Sequence, residues 1–459
     1  DAANEILQGC LGAATDCATR FVLEQLEPLS EESKNLRSSQ LERFFDLRYP
    51  EIWMRDEVLW SRAAADVFAC GARKKLRDCV AGDPDIETPI RDVLTHLPAL
   101  SILATDAATE LLVAVTDKVF EHCQMGAKDG VTASSAPATG ISPETDSSDL
   151  EILLLVAWAV HLDSCGFPLL AQVAERAEFT DGPDVPGVLH ACAHRVLDRI
   201  GTGHGELIRT GRRDWSPLTL GTGVEGHGAS LVNTAMFIFA VNEINKVSEA
   251  TSGDLFFGAD IVSFVDALSV AINENGTQNW FVRGFHDDGS VMGGEEDGRL
   301  YMDAQAWALL ARSGAASDRQ RVVDRLLSMM RSTEPGLPAL TPTMRMDAMR
   351  TASTNTWTIP GTGLNGGFSA VINAWTVWAL AREGRAGEAL ECWERQSLRR
   401  LMAEFDCGLW PETEAGGSLA SSLASEFCFK PGQGTVPRKN TDPSLAMWSG
   451  AALLRVLEV

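Results

Sequence analysis

Apolar residues recur at helical spacing along most of this chain. The 3.6-residue period predicts helices over 2–26, 58–69, 150–161, 188–200, 230–247, 261–272, 304–311, 319–330, 371–382 and 386–404. Two stretches, Leu150 to Leu162 and Leu231 to Val241, are apolar almost throughout, yet both are too short or too interrupted to span a bilayer. Between the helices lie loops rich in Gly, Pro and polar residues, over 201–225, 284–297, 359–367 and 407–418. Roughly ten to twelve helices with long polar connections do not suit a simple bundle, whose connections are short. They suit an all-α fold of helical hairpins set in a ring, an (α/α) toroid whose loops carry the site at one mouth. The stretch 126–149 is poor in apolar residues and reads as a flexible loop within one domain of 1–459.

Charge narrows the partners. The 459 residues hold 39 Lys and Arg against 63 Asp and Glu, a formal charge of -24. That balance argues against a nucleic-acid backbone or an anionic membrane surface as the main partner. A neutral sugar chain meets no such repulsion. The 10 Cys are scattered and form no C-x-x-C pair, which points to free buried thiols in a reducing, cytoplasmic compartment. The chain opens at Asp1 without a basic segment and apolar run, so it reads as a mature form or a fragment, with no secretory signal.

The loops hold the candidate chemistry. Tyr49-Pro-Glu-Ile-Trp53-Met-Arg55-Asp56 joins an aromatic face to charged groups that hydrogen-bond hydroxyls, as a sugar site requires; its plainer reading is a helix start with an Arg–Asp pair. Gly211-Arg-Arg-Asp214-Trp215 carries the same set, shortly after Gly203-His-Gly-Glu206. Arg283-Gly-Phe-His-Asp287-Asp288-Gly289 follows, and then Asp303-Ala-Gln-Ala-Trp307 opens a helix, where Asp303 could simply be an N-cap. The last is Gly408-Leu-Trp-Pro-Glu412, with Trp448-Ser-Gly-Ala451 further on; a Glu held by a Pro in a Trp-rich loop is a candidate general acid or base. His190 and His194 share a helix face but lack a third ligand, so no metal is expected. Gly361-Thr-Gly-Leu-Asn-Gly366 has dinucleotide-site letters without a preceding strand and reads as a loop.

In order, these segments resemble the catalytic domain of the glycoside hydrolase family 94 phosphorylases, over roughly Ser148 to Val459. Ser148-Asp149-Leu150 resembles the end of that family's S-D-D-L. Gly203-His-Gly followed by Asp214-Trp215 resembles its G-x-H-G-L and D-W-N-D, and Gly226-His-Gly-Ala-Ser230 its G-K-G-E-S. Arg283 to Gly289 resembles R-A-Y-x-D-D-G, Asp303 to Leu310 resembles I-A-Q-S-W-A-V-L, and Pro360 to Gly367 resembles P-G-x-R-E-N-G-G, with Trp375 at the later Trp. Trp53-Met-Arg-Asp and Trp410-Pro-Glu are similar to motifs of related toroids such as glucoamylases and debranching glycosidases.

The resemblance implies an (α/α)6 barrel acting on β-linked gluco-oligosaccharides, by hydrolysis or phosphorolysis. No organic cofactor follows from it, only inorganic phosphate as a co-substrate, and a homodimer is left open. The family also carries an N-terminal β-sandwich, which is not read in these residues. Departures fall on the chemistry. The family's general acid stands at Pro217, its phosphate-gripping His at Val371, and the pair before N-G-G at Gly363 and Leu364. Pro cannot donate a proton and Val cannot bind phosphate. Expected catalytic residues are therefore Glu412, Asp214 and Asp303, with Glu225 in the same pool. Expected substrate-binding residues are Asp149, Trp215, Arg283, Asp287, Asp288, Trp53, Arg55 and Asp56. Trp53, Trp215, Asp287 and Glu412 are expected in loops opening onto one mouth. The alternative is a sugar-binding domain without catalysis.

Overall fold

The computed structural model describes residues 50–79, 87–128, 148–170, 184–211, 214–216, 222–277, 279–332, 337–344, 364–395, 397, 413–414 and 443–458. Among them are twelve α-helices. In chain order these are α1 (Pro50–Asp78), α2 (Glu87–Leu103), α3 (Thr105–Lys128), α4 (Leu150–Cys165), α5 (Val185–Arg195) and α6 (Leu231–Ser252). They continue with α7 (Ala259–Glu274), α8 (Met302–Leu310), α9 (Ala316–Ser332), α10 (Ala370–Arg382), α11 (Ala386–Glu394) and α12 (Pro443–Leu457).

Every second helix belongs to an inner ring. α2 packs on α4, α4 on α6, α6 on α8, α8 on α10, α10 on α12, and α12 closes back on α2. The odd-numbered helices form an outer layer. α1 lies against α12 and α2, α3 against α2 and α4, α5 against α4, α7 against α6, and α11 against α10 and α12. Ion pairs Arg319–Glu383 and Arg331–Glu391 tie α9 to the end of α10 and to α11. This is the (α/α)6 barrel.

Burial explains the sequence pattern. The inner α4 is buried continuously from Leu150 to Leu162, α6 from Leu231 to Val241 and α10 from Val371 to Ala381. A helix with neighbours on every side reads as an unbroken apolar run. The outer α7 buries only Ile261, Val265, Leu268, Ala271 and Ile272, one helical stripe. The helices α2, α3 and α12 are not predicted by the periodicity. Pro98 lies inside α2, while α12 starts on Pro443 and contains Ser449-Gly450. Such residues read as breakers in isolation, but the packed ring holds them helical.

The connections distinguish the two ends of the ring. Inner-to-outer turns such as 311–315 and 383–385 are short, whereas the outer-to-inner segments 201–230 and 275–301 are long. The long segments meet at the N-termini of the inner helices. Ser148, just before α4, accepts from Asn233 Nδ2 in the first turn of α6 at 3.3 Å. Met302 N of α8 donates to Ala339 O, and Ala339 N donates to Gly367 O before α10. Short antiparallel strands brace this mouth. β1 (Ala229–Ser230), β2 (Gly284–Phe285) and β3 (Val291–Met292) form one sheet, β4 (Leu300–Tyr301) pairs with β5 (Leu340–Thr341), and β6 (Phe368–Ser369) with β7 (Thr413–Glu414). β1, β4 and β6 each lead directly into an inner helix. At the other end Arg382 of α10 pairs with Glu243 of α6, and Arg455 of α12 with Asp163 of α4. Cations in the last helical turns also suit the negative ends of the inner-helix dipoles.

Two readings change at the backbone level. Residues 126–128 are the last of α3, not loop; residues 129–147 lie outside the described residues, as does the predicted helix 2–26. Trp53, Arg55 and Asp56 stand in the first turns of α1, so that segment is helix, as the plainer reading had it.

Candidate active-site mouth

The mouth is organised by Arg283, which follows the turn out of α7 and precedes β2. Its side chain is completely buried. Nε donates to Asp303 Oδ2 at 2.8 Å, Nη2 to Asp214 Oδ2 at 2.9 Å and Nη1 to Ser230 Oγ at 2.9 Å. One guanidinium thus joins the 211–216 loop, the N-cap of α6 and the first turn of α8. Ser230 also accepts from Asn233 N at 3.2 Å as that N-cap. Burial works against the Arg283 charge, but Asp303 and Asp214 hold its pKa above the ordinary value. Burial pushes the Asp303 carboxyl above the usual carboxylate range, with Arg283 opposing. Asp303 is not the N-cap of α8; Tyr301 holds that place, and Asp303 Oδ1 accepts from Ala304 N at 2.8 Å.

Gly284 shows how closely the backbone packs here. A Cβ at this residue would lie 2.1 Å from Ala229 O, across the β1–β2 pair.

Asp214 also accepts from Ser216 N at 2.7 Å, which turns the loop and sets Trp215 between its two anchors. Trp215 is half-buried and meets Trp375 of α10 edge-on, with ring centroids 4.8 Å apart. Trp375 in turn packs edge-on against Trp307 of α8 at 5.3 Å and Trp448 of α12 at 6.0 Å. Trp448 Nε1 donates to His96 Nδ1 of α2 at 3.0 Å. An aromatic column therefore crosses the ring just inside the mouth.

Asp149 is buried, and Arg91 of α2 grips it by two bonds, Nε to Oδ2 at 2.8 Å and Nη2 to Oδ1 at 3.0 Å. Nothing in the sequence singled out Arg91, which stands far from Asp149 along the chain. Asp287 turns inward. Its Oδ1 accepts from the amides of His227 at 2.9 Å and Gly228 at 2.8 Å, and its Oδ2 from Glu225 N at 2.8 Å. His204 Nε2 donates to the Asp287 carbonyl at 2.9 Å. Those bonds commit Asp287 to shaping the 222–228 loop. Asp288 is exposed and closes a turn by accepting from Ser290 N and Oγ at 3.0 and 2.6 Å. Glu225 is exposed on the loop that Asp287 holds.

Val371, at the place of the family's phosphate-binding His, is buried in the first turn of α10. Pro217, Gly363 and Glu412 lie outside the described residues. The strand that starts directly after Glu412 pairs with β6, Thr413 opposite Ser369, at the N-terminus of α10. The side chains of Trp53, Arg55 and Asp56 also lie outside the described residues. His190 stacks on Phe256 at 4.4 Å, and among the described residues no three His, Cys, Asp or Glu side chains come together as metal ligands.

Comparison with known proteins agrees with this architecture. Residues 175–399, just under half of the chain, match the family described as the glycosyl hydrolase 94 superfamily, catalytic domain. A 3-O-β-D-glucopyranosyl-β-D-glucuronide phosphorylase from Paenibacillus borealis is 27% identical over 191 residues, covering 41% of this chain. The aligned part spans 24% of that relative's length. A glycosidase variant solved in complex with glucose superimposes with a TM-score of 0.50 at 13% identity, over 86% of this chain and 98% of the other, and so shares the fold. The glycoside hydrolase 63 mannosylglycerate hydrolase of Thermus thermophilus, also solved with glucose, gives a TM-score of 0.48 at 12% identity, over 80% and 92% of the two chains. No described helix is long and apolar enough to cross a membrane. The ordered motifs and the family match fall on the same stretch, and through its middle the chain is similar to the glycosyl hydrolase 94 catalytic domain.

Proposed function

We propose that this chain cleaves the glycosidic bonds of β-linked gluco-oligosaccharides at the mouth of the barrel, with water as the acceptor. The observation that carries the reading is Trp215, a half-buried aromatic ring on a loop pinned by the Asp214–Arg283–Asp303 clamp. A pyranose stacks its C–H face on such a ring, and a loop held rigid loses little entropy when the sugar binds. Water rather than phosphate is favoured by Val371, which stands where the resemblance places the phosphate-binding His.

Cleavage by water needs two carboxylates, one protonating the leaving oxygen and one acting as base or nucleophile. Asp214 and Asp303 share one buried guanidinium and serve here as positioning groups. From the candidate pool this leaves Glu412 and Glu225. A second reading, sugar binding without cleavage, is favoured by the same engagement of Asp214 and Asp303. Incubation with a panel of β-linked gluco-oligosaccharides separates the two. Shortened products that vanish in Glu412→Gln, while sugar binding persists, support cleavage. Binding with no product in the unsubstituted protein selects the second reading.

A further inference from the structure

The ring closes where α12 meets α2, two helices far apart along the chain. At that seam Trp448 Nε1 donates to His96 Nδ1 at 3.0 Å, and the two residues are 2% and 7% exposed. An indole N–H can only donate, so Nδ1 is unprotonated and the neutral His96 carries its proton on Nε2. Nε2 lies 3.7 Å from Asp92 Oδ1, one turn earlier on α2, and Lys75 of α1 pairs with the same carboxylate. The ring of Phe68 of α1 meets the imidazole edge-on. Beside Trp448, Ser449 Oγ donates to the buried Glu57 of α1 at 2.9 Å. Other tryptophans of the barrel donate to groups that do not titrate: Trp158 to Thr116 Oγ1, Trp280 to Gly293 O and Trp393 to Ser449 Oγ. Trp448 also meets Trp375 edge-on, so its bond to His96 borders the aromatic column that reaches Trp215.

We propose that the Trp448–His96 bond is a proton-released latch on the closure of the ring: when His96 takes up a proton at Nδ1, the latch opens and α12 loosens from α2. A protonated Nδ1 would face the indole N–H across 3.0 Å, donor against donor, so the bond is lost and one ring must turn aside. The imidazolium keeps a partner, because Asp92 stands beside Nε2. Asp92 favours the cation, while burial and the Trp448 bond favour the neutral ring. The latch is closed while His96 is neutral and opens as pH falls through the range in which it gains charge. It acts on the closure of the barrel and is independent of the ligand that the mouth takes.

The test uses the full chain labelled with 5-fluorotryptophan, followed from about pH 8 to about pH 5, the range in which a histidine changes charge. The fluorine signals are assigned with Trp448→Phe and Trp393→Phe. The expected result is a one-proton shift of the Trp448 signal while that of Trp393, which reports the neighbouring Ser449–Glu57 bond, stays fixed. His96→Asn keeps an acceptor close to the place of Nδ1 and cannot take up a proton, so the Trp448 shift should vanish in it. In the parent, amide protection over residues 447–451, corrected for intrinsic exchange, should fall roughly three- to tenfold across the same range, as for the loss of one neutral hydrogen bond. A Trp448 signal that stays fixed, or that moves equally in His96→Asn, overturns the latch. A moving signal with unchanged protection overturns the loosening of α12. Should His96→Asn not fold, the parent decides: movement of Trp448 alone supports the latch, and movement together with Trp393 overturns it in favour of Glu57 or a general loosening.

Discussion

Arg283 donates from Nη2 to Asp214 Oδ2 at 2.9 Å, and neither side chain is exposed to solvent. The pair fixes the loop that carries Trp215 to the strand that enters the mouth. Removing a single partner from a buried ion pair leaves an uncompensated charge, which commonly costs about 3–5 kcal/mol. Arg283→Met should therefore destabilise the protein by roughly that amount, because Asp214 and Asp303 are both left behind. Asp303→Asn should cost less, since it keeps a hydrogen-bond acceptor. Denaturant unfolding of the two variants checks the order, and equal losses would contradict the clamp.

Trp215→Ala should weaken binding of β-gluco-oligosaccharides several-fold or more. The half-buried ring also packs on Trp375, so some stability is lost as well. A fully buried Trp→Ala change costs on the order of 3–5 kcal/mol, and Trp215 should lose clearly less. Thermal melting and sugar titration on the same variant separate the contributions. A protein that melts far below the parent yet binds sugar unchanged would end the stacking role.

Asp287 holds three backbone amides of the 222–228 loop through its carboxylate. Asp287→Ala should loosen that loop, at a cost of about 1–3 kcal/mol for the charge-assisted hydrogen bonds it loses. Amide hydrogen exchange at Glu225, His227 and Gly228 should accelerate while exchange in α6 stays slow. Unchanged protection at those amides would contradict the assignment.

Acid should destabilise the barrel through His161. Burial lowers its pKa from 6.5 to about 4, and its Nε2 lies 2.9 Å from Thr109 Oγ1. The folded pKa is below the unfolded one, so between these values the unfolded chain binds more protons and stability falls as pH falls. The contribution is complete above the unfolded pKa and is lost toward pH 4, by up to about 3 kcal/mol. His161→Gln should flatten this part of the stability–pH curve. An unchanged slope would show that other groups dominate.

Much of this was legible in the sequence, for physical reasons that differ between residues. The continuous apolar runs of α4 and α6 marked inner helices because those helices have neighbours on all sides. α2 and α12 were hidden by Pro98 and by Ser449-Gly450, residues that only the closed ring can hold in a helix. Of the four residues expected in loops at one mouth, Trp215 and Asp287 lie in its loops, Trp53 stands in α1, and Glu412 lies outside the described residues. The partners of the mouth's buried charges were not legible. The bonds from Arg91 to Asp149 and from Arg283 to Asp214 and Asp303 join residues far apart in sequence, and no local pattern encodes them. A carboxylate that shapes a loop, such as Asp287, carries the same letter as one that faces a sugar.

The most direct measurement is product analysis after incubating the protein with β-linked gluco-oligosaccharides, with and without inorganic phosphate. The account predicts free glucose or shortened oligosaccharides at the same rate in both, with no glucose 1-phosphate, since Val371 occupies the position that would grip phosphate. Phosphate-dependent release of glucose 1-phosphate would contradict it.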